Sequence, residues 1–226
     1  MKIVAVVSAR LTSKRLPGKT LMPICGIPMI EMVCKRLLFC KKIDKIVIAI
    51  PKNKKNTKLK NYLKKRKYEV FEGSEDNVLK RFYLAAKYHK ADLVVRITGD
   101  CPLIDAGIVD KLIYKIINSK KDYITNDNPR TYPDGLDAEV ITFKALKKCY
   151  RLVKNKFDKE HVTTYVRSSR KFNIIYDNYK HDFSHLRWVV DEKSDLKVVR
   201  KIFQYFKPRL NFSWLEVIRL TKKKIV

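Results

Sequence analysis

The sequence of 226 residues predicts an α/β fold in which helices cover both faces of an open sheet. Strand-like and helix-like segments alternate along the first half of the chain. Residues 3–7 and 46–50 are unbroken apolar runs, as expected of central strands that are buried on both faces. No Ser- or Gly-rich linker and no internal repeat divides the chain, so we expect a single domain over residues 1–226.

The first half of the chain supplies four strands and four helices. Strands are predicted at residues 3–8, 45–50, 69–71 and 92–97, and helices at residues 29–38, 57–67, 75–88 and 105–118. The third of these helices carries an apolar face made of Val78, Leu79, Phe82, Tyr83 and Ala86. Ser74 stands at the expected N-cap position of this helix, and Asp105 has the same position in the next one.

The second half is less regular. Strands are predicted at residues 123–125, 137–142, 172–176 and 186–190, and helices at residues 144–153, 159–167, 194–206 and 213–220. The helix at residues 194–206 has an acidic first turn and ends before Pro208, which lacks the amide hydrogen needed to continue it. We expect the tail at residues 221–226 to be frayed.

The formal net charge of +28 is compatible with nucleic-acid binding, because basic proteins attract phosphate backbones. The lysines, however, are spread along most of the chain. The densest run, residues 52–67, alternates with apolar residues as a surface helix does. We therefore favour a compositional bias whose positive potential attracts nucleotides and acidic sugars, and we do not expect nucleic acid to be the partner.

The apolar runs are strand-sized and far too short to span a membrane, so no membrane partner is expected. The first strand begins almost at Met1, which leaves no room for a secretory leader. The five cysteines show no CxxC spacing, which favours reduced thiols over a zinc site or disulfide bonds. These features predict a cytoplasmic protein.

The segment after the first strand, residues 9–19, is a candidate phosphate-binding loop. It carries four cations, namely Arg10, Lys14, Arg15 and Lys19, together with small polar groups and a Pro-Gly turn. Its glycine spacing fits neither a Walker loop nor a dinucleotide fingerprint. Backbone amides and Ser13 would donate hydrogen bonds to a triphosphate while Arg10 and Lys19 neutralise its charge. The alternative is a solvated basic loop.

Carboxylates follow two of the predicted strands. Asp100 comes after Thr98 and Gly99, and Asp191 comes after residues 186–190. Because Mg²⁺ takes one or two protein carboxylates together with phosphate oxygens, both aspartates are candidate metal ligands. The alternative is that Asp100 only caps the turn before the next helix, but Asp105 is better placed to act as that cap. Asp191 would otherwise be the N-cap of the helix that starts near residue 194.

A third group of polar residues lies in the second half of the chain and is a further candidate binding site. Asp134, Asp137 and Glu139 would bind sugar hydroxyls or a cationic group, or would belong to an ordinary turn and an alternating edge strand. His161 follows Glu160 and is a candidate acid–base group. A lone histidine is more often structural, in which case Glu160 would orient its ring.

Several motifs occur in a fixed order along the chain: Ala9-Arg10-x-x-Ser13-x-Arg15-Leu16-Pro17-Gly18-Lys19, Gly73-Ser74-Glu75-Asp76, Arg96-Ile97-Thr98-Gly99-Asp100-Cys101-Pro102-Leu103, Arg130-Thr131-Tyr132-Pro133-Asp134-Gly135-Leu136-Asp137, Glu160-His161-Val162-Thr163, and Leu186-Arg187-Trp188 with Asp191. With this order and spacing, the sequence resembles the spore coat polysaccharide biosynthesis protein F family. These are cytidylyltransferase-like proteins related to CMP-KDO synthetase. The resemblance extends over about 200 residues.

The resemblance implies a nucleotide-diphospho-sugar transferase fold, which is a three-layer α/β/α sandwich with a mostly parallel, Rossmann-like sheet. It also implies CTP as donor, Mg²⁺ as cofactor, a small sugar-like acceptor and a homodimer. The implied catalytic residues are Arg10, Lys19 and Asp100, and the implied metal ligands are Asp100 and Asp191. The implied nucleotide-binding residues are Ala9, Arg10, Ser13, Arg15, Lys19, Gly73, Ser74, Asp76, Thr98 and Gly99. The implied acceptor-binding residues are Asp134, Asp137, Glu139, Glu160 and His161.

The expected reaction is an in-line attack of an acceptor oxygen on the α-phosphate, with release of pyrophosphate. Two other functions stay open. A glycosyltransferase on the same fold would have a DxD-type metal motif, whereas the strand here ends in Gly99-Asp100-Cys101-Pro102 with one acid. A nucleic-acid-binding protein would have a contiguous basic face with exposed aromatic side chains.

Overall fold

A seven-stranded sheet forms the centre of the protein, whose computed structural model describes residues 1–223. The sheet has the strand order β5-β4-β1-β6-β8-β7-β9. Its strands are β1 (Ile3–Ser8), β4 (Lys45–Pro51), β5 (Val70–Gly73), β6 (Leu93–Thr98), β7 (Tyr123–Thr125), β8 (Glu139–Thr142) and β9 (Ile174–Tyr176). The short strands β2 (Pro23–Ile24) and β3 (Ile27–Pro28) form a separate antiparallel pair.

The strands β5, β4, β1 and β6 are parallel, so their carboxyl ends meet at one edge of the sheet. Ser8 at the end of β1 lies beside Ala49 of β4 and Thr98 of β6. Strand β8 pairs antiparallel with both β6 and β7, and β9 is parallel to β7. The segments that follow β1 and β6 are therefore adjacent, as the sequence predicts for an open α/β sheet.

Nine helices surround the sheet in residues 1–223: α1 (Met29–Leu37), α2 (Thr57–Lys65), α3 (Val78–Tyr88), α4 (Ala106–Ile117), α5 (Phe143–Leu152), α6 (Lys156–His161), α7 (Thr164–Ser168), α8 (Lys193–Phe206) and α9 (Trp214–Lys222). Helices α1, α2, α4, α8 and α9 pack on one face of the sheet, and α3, α5 and α7 pack on the other. Successive residues of β1 alternate between these two apolar cores, since strand side chains point to opposite faces. The three-layer α/β/α prediction is confirmed.

None of the helices within the described range is both long enough and apolar enough to cross a membrane.

Local hydrogen bonds fix the helix starts. The Asp105 Oδ1 atom accepts from the amide of Ile108 at 3.0 Å, which confirms the predicted cap of α4. Its Oδ2 atom accepts from the amide of Trp214 at 2.8 Å and so joins α9 to α4. The predicted cap at Ser74 is wrong. Asn77 caps α3 by accepting from the amide of Lys80, while Ser74 caps only the turn before it.

Residues 186–190 do not form the predicted strand. The amides of Trp188 and Val189 donate to the Asp134 carbonyl, and the amide of Val190 donates to the Asp100 carbonyl. These acceptors lie in loops, so the segment crosses the carboxyl edge of the sheet instead of joining it. An apolar run alone does not distinguish these two placements.

Two further boundaries differ from the predictions. The helix predicted at residues 159–167 is divided into α6 and α7 at Val162, whose φ of 65° is rare for a β-branched residue. Helix α9 extends through Thr221 and Lys222, the first two residues of the tail that the sequence predicts to be frayed. Residues 224–226 of the predicted tail lie outside the described residues.

Candidate functional site

A cavity of about 520 Å³ opens at the carboxyl ends of β1 and β6. One wall is the predicted basic loop, which contributes Ala9, Arg10, Ser13, Lys14, Arg15 and Lys19. The floor contains Thr98, Gly99 and Asp100, and Asp191 closes one side. Glu160 and His161 at the end of α6 also line the cavity. The fold therefore brings together residues from four of the motifs singled out in the sequence.

The basic loop is held by its own backbone. Gly18, with φ of 73°, leads into a single 3₁₀ turn at Lys19–Leu21, a left-handed conformation that glycine adopts without strain. The Gly18 amide donates to the Leu11 carbonyl at 3.1 Å, and the Thr20 hydroxyl donates to the Arg10 carbonyl at 2.6 Å. The loop is thus folded back on itself, with the exposed Arg10 at one end and the buried Lys19 at the other.

The ammonium group of Lys19 joins the two predicted metal ligands. Its Nζ atom donates to Asp100 Oδ2 at 2.8 Å, to Asp191 Oδ1 at 3.0 Å and to the Val190 carbonyl at 2.7 Å. The Lys19 side chain is only 10% exposed, so little water screens these contacts. Two carboxylates from distant parts of the sequence therefore converge on one cation at the carboxyl edge of the sheet.

Asp191 is not a helix cap. Glu192 is the N-cap of α8 and forms a capping box with Asp195. The Asp191 carboxylate instead contacts Lys19, the Nη2 atom of Arg187 at 2.8 Å and the Nη2 atom of Arg15 at 2.8 Å. Partial burial opposes its ionisation, but the bonds and charges of these cations hold the pKa of Asp191 below its ordinary value. It is anionic at neutral pH.

Gly99 permits the close approach of β1 and β6 at the cavity floor. A Cβ atom on Gly99 would lie 2.8 Å from the Ser8 carbonyl oxygen and 3.2 Å from the Ala9 side chain. The Gly99 amide donates to the same Ser8 carbonyl at 2.8 Å. A side chain here would push Asp100 away from the basic loop.

The predicted nucleoside segment, residues 73–76, borders the cavity without lining it. Its contact with the cavity wall is through Arg81 of α3, whose Nη1 atom donates to the Ser74 carbonyl. A Cβ atom on Gly73 would lie 2.9 Å from the Arg81 side chain, so glycine leaves room for that packing. Asp76 is exposed to solvent.

None of the three residues of the acidic cluster, Asp134, Asp137 and Glu139, lines the cavity. Asp134 contacts the Nη1 atom of Arg187 at 2.7 Å, and Asp137 contacts the Nη2 atom of Arg130 at 2.8 Å. Burial raises the pKa of Asp137, although Arg130 partly opposes that effect. These two carboxylates are therefore already engaged by arginines.

Glu139 is 1% exposed and bonds to the Arg96 guanidinium, to the Tyr123 hydroxyl at 2.8 Å and to the Nη2 atom of Arg167 at 3.1 Å. Burial disfavours its charge, but the two arginines hold the pKa of Glu139 below its ordinary value. Glu139 thus lies behind Arg96, which does line the cavity.

Glu160 and His161 are exposed at the mouth of the cavity. No hydrogen bond joins them in the described part of the chain. The His161 ring instead packs on Phe157, with ring centroids 4.4 Å apart. Its orientation is therefore set by an aromatic contact and by the helix end at Val162, not by Glu160.

Arg81 and Arg96 also line the cavity, although the sequence motifs predicted no role for either side chain. Arg96 was detectable, because it precedes Thr98 by two residues on β6 and so shares its face. Arg81 gave no such signal, because charged residues on amphipathic helices usually face solvent, whereas Arg81 is 3% exposed.

The chain resembles known proteins over almost its whole length. A solved cytidylyltransferase from Leptospira borgpetersenii is 30% identical, with a TM-score of 0.94 over 99% of this chain and 95% of that one. The spore coat polysaccharide biosynthesis protein SpsF of Bacillus subtilis is 27% identical over 98% of this chain and 94% of its own length. The structure of CMP:2-keto-3-deoxy-manno-octonic acid synthetase complexed with CTP is 18% identical, with a TM-score of 0.72 over 91% and 99% of the two chains, and shares the fold.

A family model described as cytidylyltransferase matches residues 4–204, a range that contains the basic loop, Asp100, Glu160, His161 and Asp191. The predicted family is confirmed: the chain belongs to the cytidylyltransferases, enzymes that transfer a nucleotide from CTP.

Proposed function

We propose that this protein is a magnesium-dependent enzyme that transfers CMP from CTP to a sugar, sugar acid or sugar phosphate and releases pyrophosphate. The observation that carries the proposal is the convergence of Asp100 and Asp191 on Lys19, beside a loop of four cations. The family supports CTP as donor. The name of the Bacillus subtilis relative supports an acceptor used in surface polysaccharide biosynthesis.

The basic loop would bind the triphosphate. Arg10, Arg15 and Lys19 supply positive charge along its length, and charge-assisted hydrogen bonds to phosphate are stronger than neutral ones. The Ser13 Oγ atom accepts from the Leu16 amide at 3.4 Å, which leaves its hydroxyl hydrogen free to donate to a phosphate oxygen. The segment with Gly73, Ser74 and Asp76 would lie near the nucleoside.

Asp100 and Asp191 fit the magnesium ion that this chemistry uses. Mg²⁺ prefers one or two carboxylates and completes its octahedral shell with phosphate oxygens and water. The two carboxylates already converge on one cation, and residues 1–223 contain no cluster of three or more Asp, Glu, His or Cys side chains suited to a metal. Nucleotide phosphates would therefore complete the site. When bound, Mg²⁺ would withdraw charge from the α-phosphate.

In the transfer step, an acceptor oxygen forms a bond to the α-phosphorus while the bond to the bridging oxygen of pyrophosphate breaks. Lys19 and Arg15 would stabilise the charge that develops on the leaving pyrophosphate. A phosphate or carboxylate acceptor has no proton to lose. A hydroxyl acceptor would transfer its proton to His161 or to solvent, because His161 is at the cavity mouth and exposed.

Calorimetric titration of the full chain with CTP, UTP, GTP and ATP, each with and without Mg²⁺, tests this function. We expect CTP to bind selectively and more tightly with Mg²⁺, and a screen of sugar acids and sugar phosphates to release pyrophosphate. Selective binding of another triphosphate would overturn CTP as the donor. Binding of none would overturn the proposed function.

We also propose that the enzyme works in the cytoplasm, which the five free thiols support, since such thiols persist in a reducing compartment. The homodimer that the resemblance implies stays a prediction, and sedimentation of the full chain tests it.

A further inference from the structure

The edge of the sheet opposite the cavity carries the most exposed apolar side chains of the described residues. The connections that follow α1, α2, α3 and α4 lead into the amino ends of β4, β5, β6 and β7, so they meet at one edge, which we call the amino edge. Tyr88 at the end of α3 is 73% exposed and Leu38 directly after α1 is 69% exposed, the two largest fractions among the large apolar side chains described. Tyr114 near the end of α4 is 60% exposed. Exposed apolar side chains that share one surface mark interaction sites.

The loop between α1 and β4 presents Leu38 and Phe39 as an apolar tip. Both side chains are exposed. The next two amides anchor the loop, because Lys41 and Lys42 donate to the Asp110 carboxylate of α4 at 2.8 Å and 3.1 Å. Hydrogen bonds to a neighbouring helix therefore hold the backbone that exposes this tip.

A cleft of about 820 Å³ opens beside the tip. Leu38 and Ile43 line it from the loop after α1, and Lys64 and Lys67 line it from the end of α2. The apolar tip and the end of α2 therefore belong to one surface, which is apolar on one side and cationic on the other.

Cations surround the apolar tip. Residues 64–67 are four consecutive exposed cations, and none of them has an ion-pair partner among the described residues. Residues 41–42 and 120–121 add two pairs of exposed lysines at neighbouring connections of the same edge. This grouping gives the amino edge a local positive potential that attracts anionic surfaces.

Two acids also line the cleft. Glu69 pairs with Lys45 at 3.0 Å, and this contact holds the pKa of Glu69 below its ordinary value. Asp44 accepts from the amide of Ile3 at 2.7 Å. Neither acid contacts residues 64–67, so the charges of these four cations are available to an external partner.

The combination of apolar and cationic side chains favours a lipid bilayer as that partner. Apolar side chains that project from a fixed loop insert below the headgroups, while neighbouring lysines contact headgroup phosphates. Peripheral binding is strengthened when buried apolar area adds to attraction by anionic lipids. A nucleic acid would instead require aromatic platforms and would favour arginine, whereas Leu38 has no ring and residues 64–67 contain one arginine.

We propose that the amino edge binds the surface of an anionic lipid bilayer, with Leu38 and Phe39 inserted below the headgroups and residues 41–42 and 64–67 contacting the phosphates. Such peripheral contact needs no membrane-spanning segment. Strand β4 (Lys45–Pro51) leads from this edge to the carboxyl edge, a distance of about 20 Å at roughly 3.3 Å per residue. The cavity therefore stays open to solvent. This inference does not depend on the proposed nucleotidyl transfer.

The test is sedimentation of the full chain with lipid vesicles at about 0.15 M salt, which screens weak long-range attraction. We expect binding to vesicles made of equal parts of phosphatidylglycerol and phosphatidylcholine, and much weaker binding to phosphatidylcholine alone. Soluble glycerol phosphate carries the headgroup phosphate without acyl chains. It should not displace the protein from the vesicles.

The contribution of the apolar tip is measured with single substitutions. Leu38→Ser and Phe39→Ser should each weaken vesicle binding about tenfold, because less apolar area is buried in the bilayer. Leu215→Ser, at an exposed leucine of α9, is the matched control and should bind like the unaltered protein. All three side chains are exposed, so folding should be retained, and circular dichroism checks it.

The contribution of the cations is measured with two triple variants of equal charge. Replacing Lys64, Lys65 and Lys67 with glutamine should weaken vesicle binding about 100-fold, from roughly fivefold for each lysine near an anionic surface. The matched control replaces residues 52, 54 and 55, three exposed lysines between β4 and α2 at the carboxyl edge. It should keep most of the affinity.

The depth of the tip is measured with Phe39→Trp. The two native tryptophans, Trp188 and Trp214, are buried, so the added indole is the exposed one. Phosphatidylcholine with brominated acyl chains, mixed with phosphatidylglycerol, should quench the emission of this variant in the vesicle-bound state. The emission of the unaltered protein should change little.

The inference is overturned if the protein does not bind phosphatidylglycerol vesicles at about 0.15 M salt, or if glycerol phosphate displaces it. Equal losses of affinity in the two triple variants would mean that total charge, and not the amino edge, attracts the vesicles. Unquenched emission from bound Phe39→Trp would place the tip outside the bilayer. A single-stranded oligonucleotide whose affinity falls in Leu38→Ser and Phe39→Ser would assign the amino edge to nucleic acid instead.

Discussion

The Asp100 carboxylate has a single ion-pair partner in the described chain, Lys19, and it stands at the floor of the cavity. Asp100→Asn keeps the size of the side chain and removes its charge. We expect pyrophosphate release to fall at least about 100-fold, because charge stabilisation in such sites is worth several kcal/mol. Folding should be preserved, since Lys19 keeps its hydrogen bonds to Asp191 and to the Val190 carbonyl.

Asp182→Asn is the matched control, because Asp182 is exposed and bonds locally to the amide of Ser184. It should leave pyrophosphate release unchanged. Full activity in a folded Asp100→Asn enzyme would rule out a catalytic role for this carboxylate.

Gly135 determines how residues 186–190 cross the sheet edge. Its φ is 109°, and a Cβ atom there would lie 2.4 Å from the Val189 amide nitrogen and 2.6 Å from the Trp188 carbonyl carbon. Gly135→Ala should therefore destabilise the protein by more than about 2 kcal/mol, since backbone strain and a backbone clash combine. Urea unfolding at neutral pH measures this change.

Gly26→Ala separates strain from the clash. Gly26 has φ of 84° but no atom within 4 Å of a Cβ position. Gly26→Ala should therefore lose only the free energy of a strained left-handed backbone, about 1–2 kcal/mol of stability. Equal losses of unfolding free energy in the two variants would mean that the close contact of Gly135 with residues 188 and 189 does not limit the size of the side chain at this position.

The site was predictable from the sequence where residues follow buried strands, and less so where burial decides their role. Asp100 follows β6 as predicted, whereas Asp191 reaches the same sheet edge because residues 186–190 cross that edge, not because a strand ends there. Glu139 begins β8 at the same sheet edge, yet its side chain is buried behind Arg96. Sequence spacing gives the position of a side chain along a strand, but which of two polar neighbours reaches the cavity depends on packing.

At the scale of elements, the most reliable predictions were the buried strands. β1 was predicted without error because its apolar run ends at a polar loop. Residues 186–190 are also apolar apart from Arg187, but the hydrogen bonds to Asp134 and Asp100 place them across the strand ends. The hairpin of β2 and β3 was missed because each strand has two residues, too few for a periodic pattern.

Asp177, just after β9, ties the end of that strand to helix α4. It is 0% exposed and accepts from Lys115, from Lys111 at 2.9 Å and from the Tyr132 hydroxyl at 2.9 Å. Burial opposes its ionisation, but these three donors hold the pKa of Asp177 below its ordinary value of 3.8. Because folding lowers the pKa of Asp177, its ionised carboxylate stabilises the folded protein at pH values above 3.8. This stabilisation is lost as the pH falls through the pKa that Asp177 has in the folded state.

Asp177→Asn should therefore be less stable than the unaltered protein at neutral pH, by about 1–3 kcal/mol for lost charged hydrogen bonds. The difference in unfolding free energy between the two proteins should shrink as the pH is lowered below 3.8. Urea unfolding at several pH values measures both curves. Parallel curves would show that Asp177 does not contribute through its ionisation.

At the scale of the whole molecule, the net charge of +28 must be separated from the charge that acts in the site. Lys144, Lys147 and Arg151 are exposed on one face of α5, and none of them lines the cavity. At about 0.15 M salt, exposed charges are screened over roughly 8 Å, so these three should contribute little to events in the cavity. They would contribute to nonspecific attraction of polyanions, which depends on total surface charge.

Replacing all three with glutamine should therefore leave kcat/KM for pyrophosphate release within about twofold of the unaltered enzyme at about 0.15 M salt. The same variant should elute from a DNA column at lower salt, because fewer cations displace counterions from the phosphates. A fall in kcat/KM of more than about tenfold would instead mean that the charged face of α5 contributes to turnover. The surface charge would then attract the substrate, and the compositional-bias interpretation would be wrong.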